Sequence, residues 1–410
     1  MSTFTRKRVA LVGLGHRGTG MWGRELLDAQ GRWVEMVGLC DSNARRREHA
    51  QSVIGADVPV HADYTRMLRE VRPDCVIVCV PDHLHDTFIV EALEAGCDVI
   101  TEKPMAISAA RCARIIEAEQ RTGRRVDVAF NYRFTPTSVQ LKQLLASGVI
   151  GPVQSVDFSW FLDVQHGADY FRRWHARQDR SGSLFVHKAS HHFDLLNWWL
   201  DDEPVQVFAR AALRRYGRNG VQGGTRCRTC ERRCEFHTDI GADPWLAGLY
   251  EQASQLDGYV RDACVFRPEI DIPDTMSASL SYRSGTQVNY SLNTYLPIEG
   301  YQLAFNGLEG RIEVRQHERQ PWAAPPADEI RVLRNAGPAR TLWVAHGAGG
   351  HFGGDAALQD RLFRPAPTDP LGQRAGARAG ALAALCGIAA MKSVASGQAE
   401  AVEAVVQHAP

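Results

Sequence analysis

The chain of 410 residues lacks an excess of charge of either sign, because 47 Lys and Arg residues balance 47 Asp and Glu residues. This balance gives no support to a nucleic-acid or membrane partner. The N-terminal segment MSTFTRKRVALVG lacks the apolar stretch and cleavage site of a signal peptide. The apolar run at residues 379–391 is shorter than the roughly 20 residues that span a bilayer. These absences predict a cytoplasmic protein.

The first part of the chain has the pattern of a parallel α/β sheet. Short apolar runs at residues 8–12, 34–40, 75–80, 99–101 and 126–130 are expected to be strands, and helical segments separate them. Strands that alternate with helices are typical of βαβ units. A chain of this length usually exceeds one hydrophobic core, so two domains are expected. The first is predicted to be a Rossmann-type domain in residues 1–130.

The pattern changes after residue 130, where longer strand-like segments follow one another. They lie at residues 153–162, 205–213, 276–282, 287–295 and 302–305. This succession predicts an α+β domain in residues 131–410 with a mostly antiparallel open sheet. One helix is expected near residues 187–200, a loop region at 320–345 and a further helix at 376–396. Residues 214–264, rich in Arg, Gly and Cys, are expected to be an irregular insertion, here called the Cys-rich insertion.

A glycine-rich turn follows the first expected strand. Gly13, Gly15 and Gly18 have the GxGxxG spacing, which permits a tight turn, close approach of a pyrophosphate and close helix–strand packing. Asp41 ends the second expected strand, where a carboxylate accepts hydrogen bonds from the adenosine ribose and repels a 2′-phosphate. The pattern favours NAD over NADP, although the three arginines at residues 45–47 favour NADP.

A lysine follows the fifth expected strand in the segment Glu102-Lys103-Pro104. In open parallel sheets, ligands lie outside the carboxyl ends of the strands, so Lys103 is expected in the cofactor crevice. A partly desolvated lysine beside a cationic nicotinamide has a lowered pKa, which suits it to take a proton from a substrate hydroxyl. The alternative interpretation is an exposed surface lysine.

Three motifs together resemble the glucose–fructose oxidoreductase / inositol dehydrogenase (Gfo/Idh/MocA) family over almost the whole chain. They are GLGHRG near the N-terminus, Pro81 to His85 after the fourth strand, and the EKP segment. The resemblance implies that Lys103 is catalytic and that His191 is the catalytic histidine of a later helix. His187 stands where the family usually has an aspartate, so the identity of the base is open. The residues expected to bind the cofactor are Gly13, Leu14, Gly15, His16, Arg17, Gly18, Asp41, Ser42, Pro81, His85, Glu102, Lys103 and Asn131.

The spacing within the expected helix agrees with this assignment. His187, His191, Asp194 and Trp198 recur on one helical face, and an apolar stripe lies on roughly the opposite face. The helix is therefore expected to bury one side and to present imidazoles on the other. Histidine suits proton transfer near neutral pH, and Asp194 is expected to help fix the His191 ring. His187, His191 and Lys103 are the predicted catalytic residues.

The segment at residues 166–175 is dense in aromatic and hydrogen-bonding groups, which sugar sites commonly need. The family resemblance places it as a loop over the nicotinamide. A glycine-rich segment with His346, His351 and Asp355 is expected to form another loop facing the site. The predicted substrate-binding residues are His166, Tyr170, Arg173, Trp174, His175, His191, His192 and His351.

The Cys-rich insertion carries a possible metal site. Cys227, Cys230, Cys234 and Cys264 suit a closed tetrahedral zinc site of structural type, with His237 as the alternative fourth ligand. The family resemblance favours Cys264. The competing interpretation is a set of free or redox-active thiols.

The sequence thus predicts an NAD-dependent dehydrogenase of a secondary hydroxyl in a sugar, glycoside or polyol. Two alternatives remain: a redox-neutral elimination or epimerisation with retained NAD, and a non-catalytic NAD-binding sensor. The resemblance implies a homodimer or homotetramer, and the expected partner is a small carbohydrate.

Overall fold

The N-terminal strands form a fully parallel sheet in the order β3-β2-β1-β4-β5-β6. The structure, a computed structural model, describes residues 5–365 and 368–405. The order reverses between β1 and β4, the place where open parallel sheets bind ligands. All residues of β4 are buried, as expected of a strand covered on both faces. The strands are β1 (Lys7–Val12), β2 (Val34–Cys40), β3 (Val60–His61), β4 (Cys75–Val78), β5 (Asp98–Thr101) and β6 (Val126–Val128).

Helices connect these strands and confirm the predicted α/β alternation. A π-helical segment, Gly18–Glu25, follows the glycine turn and continues into α1 (Leu26–Gln30). The side chains of Asn43, Asp63 and Ser108 accept hydrogen bonds from the first turns of α2, α3 and α5, which explains where those helices begin. The later helices are α2 (Ala44–Ile54), α3 (Tyr64–Val71), α4 (His85–Glu94) and α5 (Ala109–Thr122).

The rest of the chain forms a second, mostly antiparallel sheet in the order β14-β13-β12-β11-β7-β10-β9-β8-β15. Strands β7 and β10 pair in parallel. Buried and exposed residues alternate along β9 and β10, so one face of the sheet packs inward. The strands are β7 (Val153–Asp163), β8 (Pro204–Ala212), β9 (Thr275–Tyr282), β10 (Gln287–Leu296), β11 (Glu299–Gly307), β12 (Gly310–Arg319), β13 (Ala327–Arg334), β14 (Arg340–Ala345) and β15 (Glu400–Ala401).

Helix α14 joins the two parts, because it packs against α5 as well as α9, α10 and β8. Helix α14 contains the apolar run and has 20 residues, so by length and composition alone it could cross a membrane. In this structure, however, 56% of its most apolar 18-residue window is buried inside the protein. The helices of this part are α6 (Pro136–Ala146), α7 (Val164–Arg172), α8 (Gln178–Ser181), α9 (Leu184–His187), α10 (Ala189–Leu200), α11 (Pro244–Leu246), α12 (Ser254–Asp257), α13 (Gly354–Phe363) and α14 (Ala377–Ser396).

Three local predictions were wrong. The region 320–345, expected to be a loop, contains β13 and β14, in which Ile330 and Val332 alternate with charged residues. The single helix expected near 187–200 is interrupted at Lys188 and divided into α9 and α10. Residues 166–172, expected to be a loop, belong to α7, which begins where the Asp163 side chain accepts the backbone N–H groups of Gln165 and His166.

Candidate active site

The candidate active site lies where β1, β4 and β5 end. The glycine turn follows β1, Asp82 lies shortly after β4, and Lys103 follows β5. Because the strands are parallel, their carboxyl ends meet at one edge of the sheet. Helices α7, α9 and α10, which belong to the part of the chain after residue 130, bring histidines to the same edge, as the contacts below show.

The glycine turn fits a dinucleotide pyrophosphate. Gly13 has a left-handed backbone (φ +88°), and a Cβ there would lie 2.5 Å from the Cys79 carbonyl carbon. A Cβ on Gly18 would lie 2.1 Å from the Gly13 oxygen, so the turn closes only with glycine. A Cβ on Gly15 would meet only the Tyr250 hydroxyl, at 3.3 Å, among the residues that the structure describes. The backbone of Gly15 is therefore open to a ligand on one side.

Several predicted cofactor-binding residues bind one another. Arg17 donates to Glu102 (2.7 Å) and to both oxygens of Asp355 (2.7 and 2.8 Å). Asn131 Nδ2 donates to the same Asp355 carboxylate (2.7 Å), while its Oδ1 is buried with no hydrogen-bond partner in residues 5–365 and 368–405. Burial opposes ionisation of Glu102, but the Arg17 guanidinium holds the pKa of its carboxyl below the usual value. The network joins the glycine turn to the EKP turn and to α13.

Two further predicted cofactor-binding residues, His85 and Pro81, lie shortly after β4. His85 is buried, and its ring nitrogens lie 2.8 Å from the Pro104 oxygen and 2.9 Å from the Val80 oxygen. The ring therefore connects the end of β4 to the EKP turn. Pro81 immediately precedes the short helix Asp82–Leu84. Cofactor contacts by His85 and Pro81 stay predictions.

Lys103 lies in a chain of three polar side chains, of which Asp82 and His187 are buried and Lys103 is half-buried. Its Nζ lies 3.2 Å from His187 Nε2 and donates to the His187 carbonyl oxygen at 3.2 Å. His187 Nδ1 lies 2.6 Å from Asp82 Oδ2, so the ring is oriented with Nδ1–H toward the carboxylate and Nε2 toward the lysine. The arrangement runs Asp82, His187, Lys103.

Burial dominates the ionisation of this chain. Desolvation lowers the pKa of Lys103 to about 7, although the Asp82 carboxylate counters the effect. The positive charge of Lys188 lowers it further. Burial also lowers the pKa of His187 well below its usual value, with Lys103 adding to the effect. Near neutral pH, a fraction of Lys103 is therefore a neutral amine beside a neutral imidazole.

His191 lies near this chain, between aromatic rings. Its ring makes edge contacts with Phe130 and Tyr132, at centroid distances of 5.9 and 4.9 Å. Its Nδ1 is buried and has no hydrogen-bond partner within the described part of the chain. Burial lowers the pKa of His191 well below its usual value, and the charge of Lys103 contributes. The neutral ring therefore has a nitrogen free to meet a ligand.

The environment expected for the catalytic helix was wrong in two respects. Asp194 does not fix His191 but forms a paired ion bridge with Arg133, at 2.6 and 2.8 Å. The apolar and imidazole faces are also not distinguished by exposure, since almost every residue of α10 is buried. The reason is that α10 packs against α14 on one side and α6 on another.

Aromatic groups from the segment 166–175 surround His187. Trp174 stacks on His175 at 3.6 Å, and the His175 and His187 rings lie 4.1 Å apart. Tyr170 makes edge contacts with both histidines at 5.5 Å. The structure thus places Tyr170, Trp174 and His175 around His187, which contacts Lys103. Substrate binding by these three residues stays a prediction.

The other predicted substrate residues are less uniform. His166 pairs with Glu299, and Arg173 pairs with Asp169 (3.2 Å). His192 stacks on Trp160 at 3.9 Å and its Nδ1 lies 2.6 Å from the Tyr290 hydroxyl, so it belongs to the core behind the site. In the glycine-rich segment, His351 pairs with Asp355 (2.9 Å) and its ring lies 5.5 Å from Tyr132. His346 instead pairs with Asp328 (2.9 Å).

Two groups of this site are not among the predicted site residues. Asp82 supplies a carboxylate to His187, and its position just after β4 was the available signal, because that strand end faces the crevice. Lys188 is buried with its Nζ 5.2 Å from the Trp160 ring and 5.6 Å from the Tyr132 ring. Its position depends on the break between α9 and α10, which the helical spacing did not reveal.

The four cysteines of the Cys-rich insertion line one cavity together with His237. The backbone N–H of Cys264 donates to the Thr225 oxygen (3.0 Å), which holds the distant cysteine next to the others. All are free thiols. Nevertheless, in the described ranges 5–365 and 368–405 no three His, Cys, Asp or Glu side chains are arranged to hold a metal ion. The zinc site predicted from the spacing is not supported by these positions.

Comparison with known proteins extends over almost the whole chain. Residues 7–130 match the family described as "Oxidoreductase family, NAD-binding Rossmann fold", and residues 138–313 match the "GFO/IDH/MocA C-terminal domain". The Bacillus subtilis protein named "Putative oxidoreductase YteT" is 37% identical over 416 residues, covering 95% of this chain and 96% of that protein. Inositol 2-dehydrogenase 1 of Saccharopolyspora erythraea is 31% identical over 200 residues, which are 48% of this chain and 56% of that enzyme.

Solved structures show the same fold. Myo-inositol 2-dehydrogenase from Lactobacillus plantarum has a TM-score of 0.67 and 17% identity, covering 97% of this chain and 100% of that one. The WlbA dehydrogenase from Bordetella pertussis, in complex with NADH and UDP-GlcNAcA, has a TM-score of 0.67 and 19% identity, covering 98% and 100%. At these identities the likeness establishes the architecture, and it confirms the fold class predicted from the sequence.

Proposed function

The chain belongs to the Gfo/Idh/MocA family of NAD-binding oxidoreductases, and from that premise we propose that it transfers a hydride between NAD and a secondary hydroxyl of a sugar, glycoside or polyol. It is an oxidoreductase related to dehydrogenases that act on CH–OH groups. The observation that carries the finer proposal is the half-buried Lys103, with a pKa of about 7, in contact with His187.

The chemistry proposed for the side chains is a proton transfer at Lys103. Bound NAD supplies the hydride acceptor. Neutral Lys103 Nζ accepts the proton of the substrate hydroxyl, while the hydrogen on the same carbon leaves as hydride. His187 and Asp82 hold the lysine in place, since the ring contacts Nζ through Nε2 and the carboxylate through Nδ1. His191, with its unpartnered nitrogen, is proposed as the second acid/base group.

The cofactor is proposed to lie from the glycine turn toward Lys103, with the ribose of adenosine near Asp41. The turn fits a pyrophosphate because its close approaches permit only glycine at Gly13 and Gly18. Tyr170, Trp174 and His175 are proposed to contact the carbohydrate, since they enclose the reactive lysine and present stacking and polar groups. Their density agrees with a substrate that has polar edges and an apolar face.

NADH formation with myo-inositol and a panel of aldoses and glycosides tests this proposal. We expect absorbance of NADH to rise with at least one compound in wild type and not in Lys103→Ala. A redox-neutral enzyme would convert a glycoside without net NADH, which product analysis by NMR would reveal. A sensor would bind NAD with no conversion, and Lys103→Ala would keep its biological activity; either result would replace the dehydrogenase proposal.

Zinc in the Cys-rich insertion remains a proposal that one observation supports: the four cysteines and His237 line a single cavity. A closed site of thiolates would stabilise a segment that has little hydrophobic core. Metal analysis of the purified protein tests this; about one zinc per chain supports it, and metal-free protein with titratable thiols contradicts it. The free cysteines also fit the proposed cytoplasmic location. The homodimer or homotetramer is proposed from the family alone.

A further inference from the structure

The three arginines at residues 45–47 are all occupied, although their sequence favours a 2′-phosphate. Arg45 pairs with Glu48 at 2.9 Å on the surface of α2. Arg47 donates to the backbone oxygens of Asp41 (2.7 Å) and Ser42 (3.0 Å). Arg46 alone has its side chain directed at the Asp41 carboxylate, with Nε 3.2 and 3.3 Å from the two oxygens. Arg46 is therefore the cation that decides the charge at the ribose end of the cofactor site.

The Cys-rich insertion reaches this point of the first domain. Asp257, at the end of α12, forms an ion pair with Arg46 NH2, and the same carboxylate accepts Asn43 Nδ2 at 2.8 Å. Burial opposes ionisation of Asp257, but the N–H of Tyr259 and the side chains of Asn43 and Arg46 outweigh it and lower its pKa. Arg46 thus lies between two carboxylates, those of Asp41 and Asp257.

The same insertion also covers the pyrophosphate end of the site. The Tyr250 hydroxyl accepts the backbone N–H of His16 at 2.8 Å, and Trp245 Nε1 donates to His16 Nδ1 at 2.7 Å. Asn43 Nδ2 donates to the Ala253 oxygen at 2.8 Å. The contacts of Tyr250 and Trp245 with His16, and of Ala253 with Asn43, fix the segment that carries Asp257 next to Arg46. The ion pair is therefore part of the site.

We propose that Asp257 is a specificity-determining residue that selects NAD over NADP by neutralising Arg46. A 2′-phosphate beside Asp41 needs a free cation, and Arg46 is the arginine of the three whose guanidinium contacts the Asp41 carboxylate. With Asp257 in place, the phosphate would meet two carboxylates and one shared guanidinium, which is net repulsion. The ribose hydroxyls of NAD need only the Asp41 oxygens. The inference rests on the proposed binding of NAD.

Calorimetric titration of the full-length protein with NAD+ and, separately, NADP+ tests the inference. Asp257→Asn removes the charge and retains the size. We expect its NADP+ dissociation constant to fall about tenfold, the value of one charge-assisted hydrogen bond, with that of NAD+ within about twofold of wild type. The double variant Asp257→Asn/Arg46→Ala should lose the gain, because the freed guanidinium is then absent. Glu48→Gln, which frees the exposed Arg45, is the matched control and should change neither constant.

An unchanged NADP+ constant in Asp257→Asn, with NAD+ binding intact, would overturn the inference alone. A gain that persists without Arg46 would overturn it too. If wild type bound neither nucleotide, the proposed cofactor itself would be wrong. Thermal unfolding of each variant guards against misfolding, and Asp257→Ala provides a second removal of the charge that leaves no amide near Arg46.

Discussion

The two ends of the candidate cofactor crevice handle charge in opposite ways. At the reactive end, Asp82 and His187 are 3% and 7% exposed, and burial governs their pKa values and that of Lys103. At the adenosine end, the side chains of Arg46 and Asp257 are 12% and 26% exposed and form an ion pair. At the first end, desolvation leaves a fraction of Lys103 unprotonated near neutral pH, whereas at the second end the sign of the charges is proposed to select the cofactor.

Removal of the Lys103 amine should give the largest effect and isolate the reactive end. Lys103→Met is expected to lower kcat by about 10³-fold, since it deletes the proposed proton acceptor, while NAD+ affinity stays within a few-fold of wild type. Steady-state kinetics and calorimetry measure the two quantities. Lys392→Met, at an exposed lysine paired with Glu403, is the control and should leave both unchanged. Loss of NAD+ binding in Lys103→Met with kcat preserved would mean that Lys103 binds the cofactor and does not take part in proton transfer.

Stability should show the same contrast between buried and exposed ion pairs. The Arg133–Asp194 pair behind His191 is buried, with side chains 6% and 1% exposed. Asp194→Ala leaves a buried guanidinium unpaired and should lower the free energy of unfolding by about 3–5 kcal/mol. Asp257→Ala at the adenosine end should cost about 1 kcal/mol or less. Urea unfolding compares them; equal costs would mean that exposure does not separate the two pairs.

Most of the fold was predictable from the sequence because it depends on local pattern. The run of residues 75–78 is continuous and apolar, as in a strand buried on both faces. The segments at 34–40 and 287–296 are also recognisable as strands from the pattern of their apolar residues. Strands β13 and β14 were missed because the Pro- and Ala-rich segment before β13 is typical of a loop, and the apolar residues of β13 alternate with charged ones. The break at Lys188 could not be read from spacing, since the sequence on both sides of it favours helix.

The candidate site was predictable where the end of one strand sufficed, and not where residues distant in the sequence come into contact. Lys103 follows directly from its position after β5. The Asp82–His187 contact joins residues 105 positions apart, and no local pattern pairs them. Asp194 was assigned to His191 because they are neighbours on a helix, but the preference of a buried carboxylate for Arg133 decides its contact. The partners of Asp194 and His187 are therefore determined by ion pairing and hydrogen bonding between residues distant in the sequence, which helical spacing does not predict.

The dependence of kcat/KM on pH tests the protonation state of Lys103 at the reactive end. If neutral Lys103 is the base for oxidation, kcat/KM should rise with pH through about 7, because the lysine is protonated and inactive below that pKa. The Asp82 carboxylate raises the pKa of Lys103, so Asp82→Asn should move this limb to lower pH by about one unit. A lower maximum with an unmoved limb would make Asp82 a merely structural residue. A shift to higher pH would contradict the assigned sign.

The smallest effect should come from the Cys-rich insertion, and it should be confined to cofactor binding, away from Lys103. Cys230→Ser is expected to weaken the packing around the cysteine cavity. This should increase the mobility of the segment whose Tyr250 hydroxyl accepts the His16 N–H. We expect the NAD+ dissociation constant to rise about fivefold, as for one lost hydrogen bond, while kcat at saturating NAD+ is unchanged. Calorimetry and kinetics on the same preparation separate the two. A fall in kcat at saturation would mean that the insertion also supports Lys103, and the two ends would then be one cooperative unit.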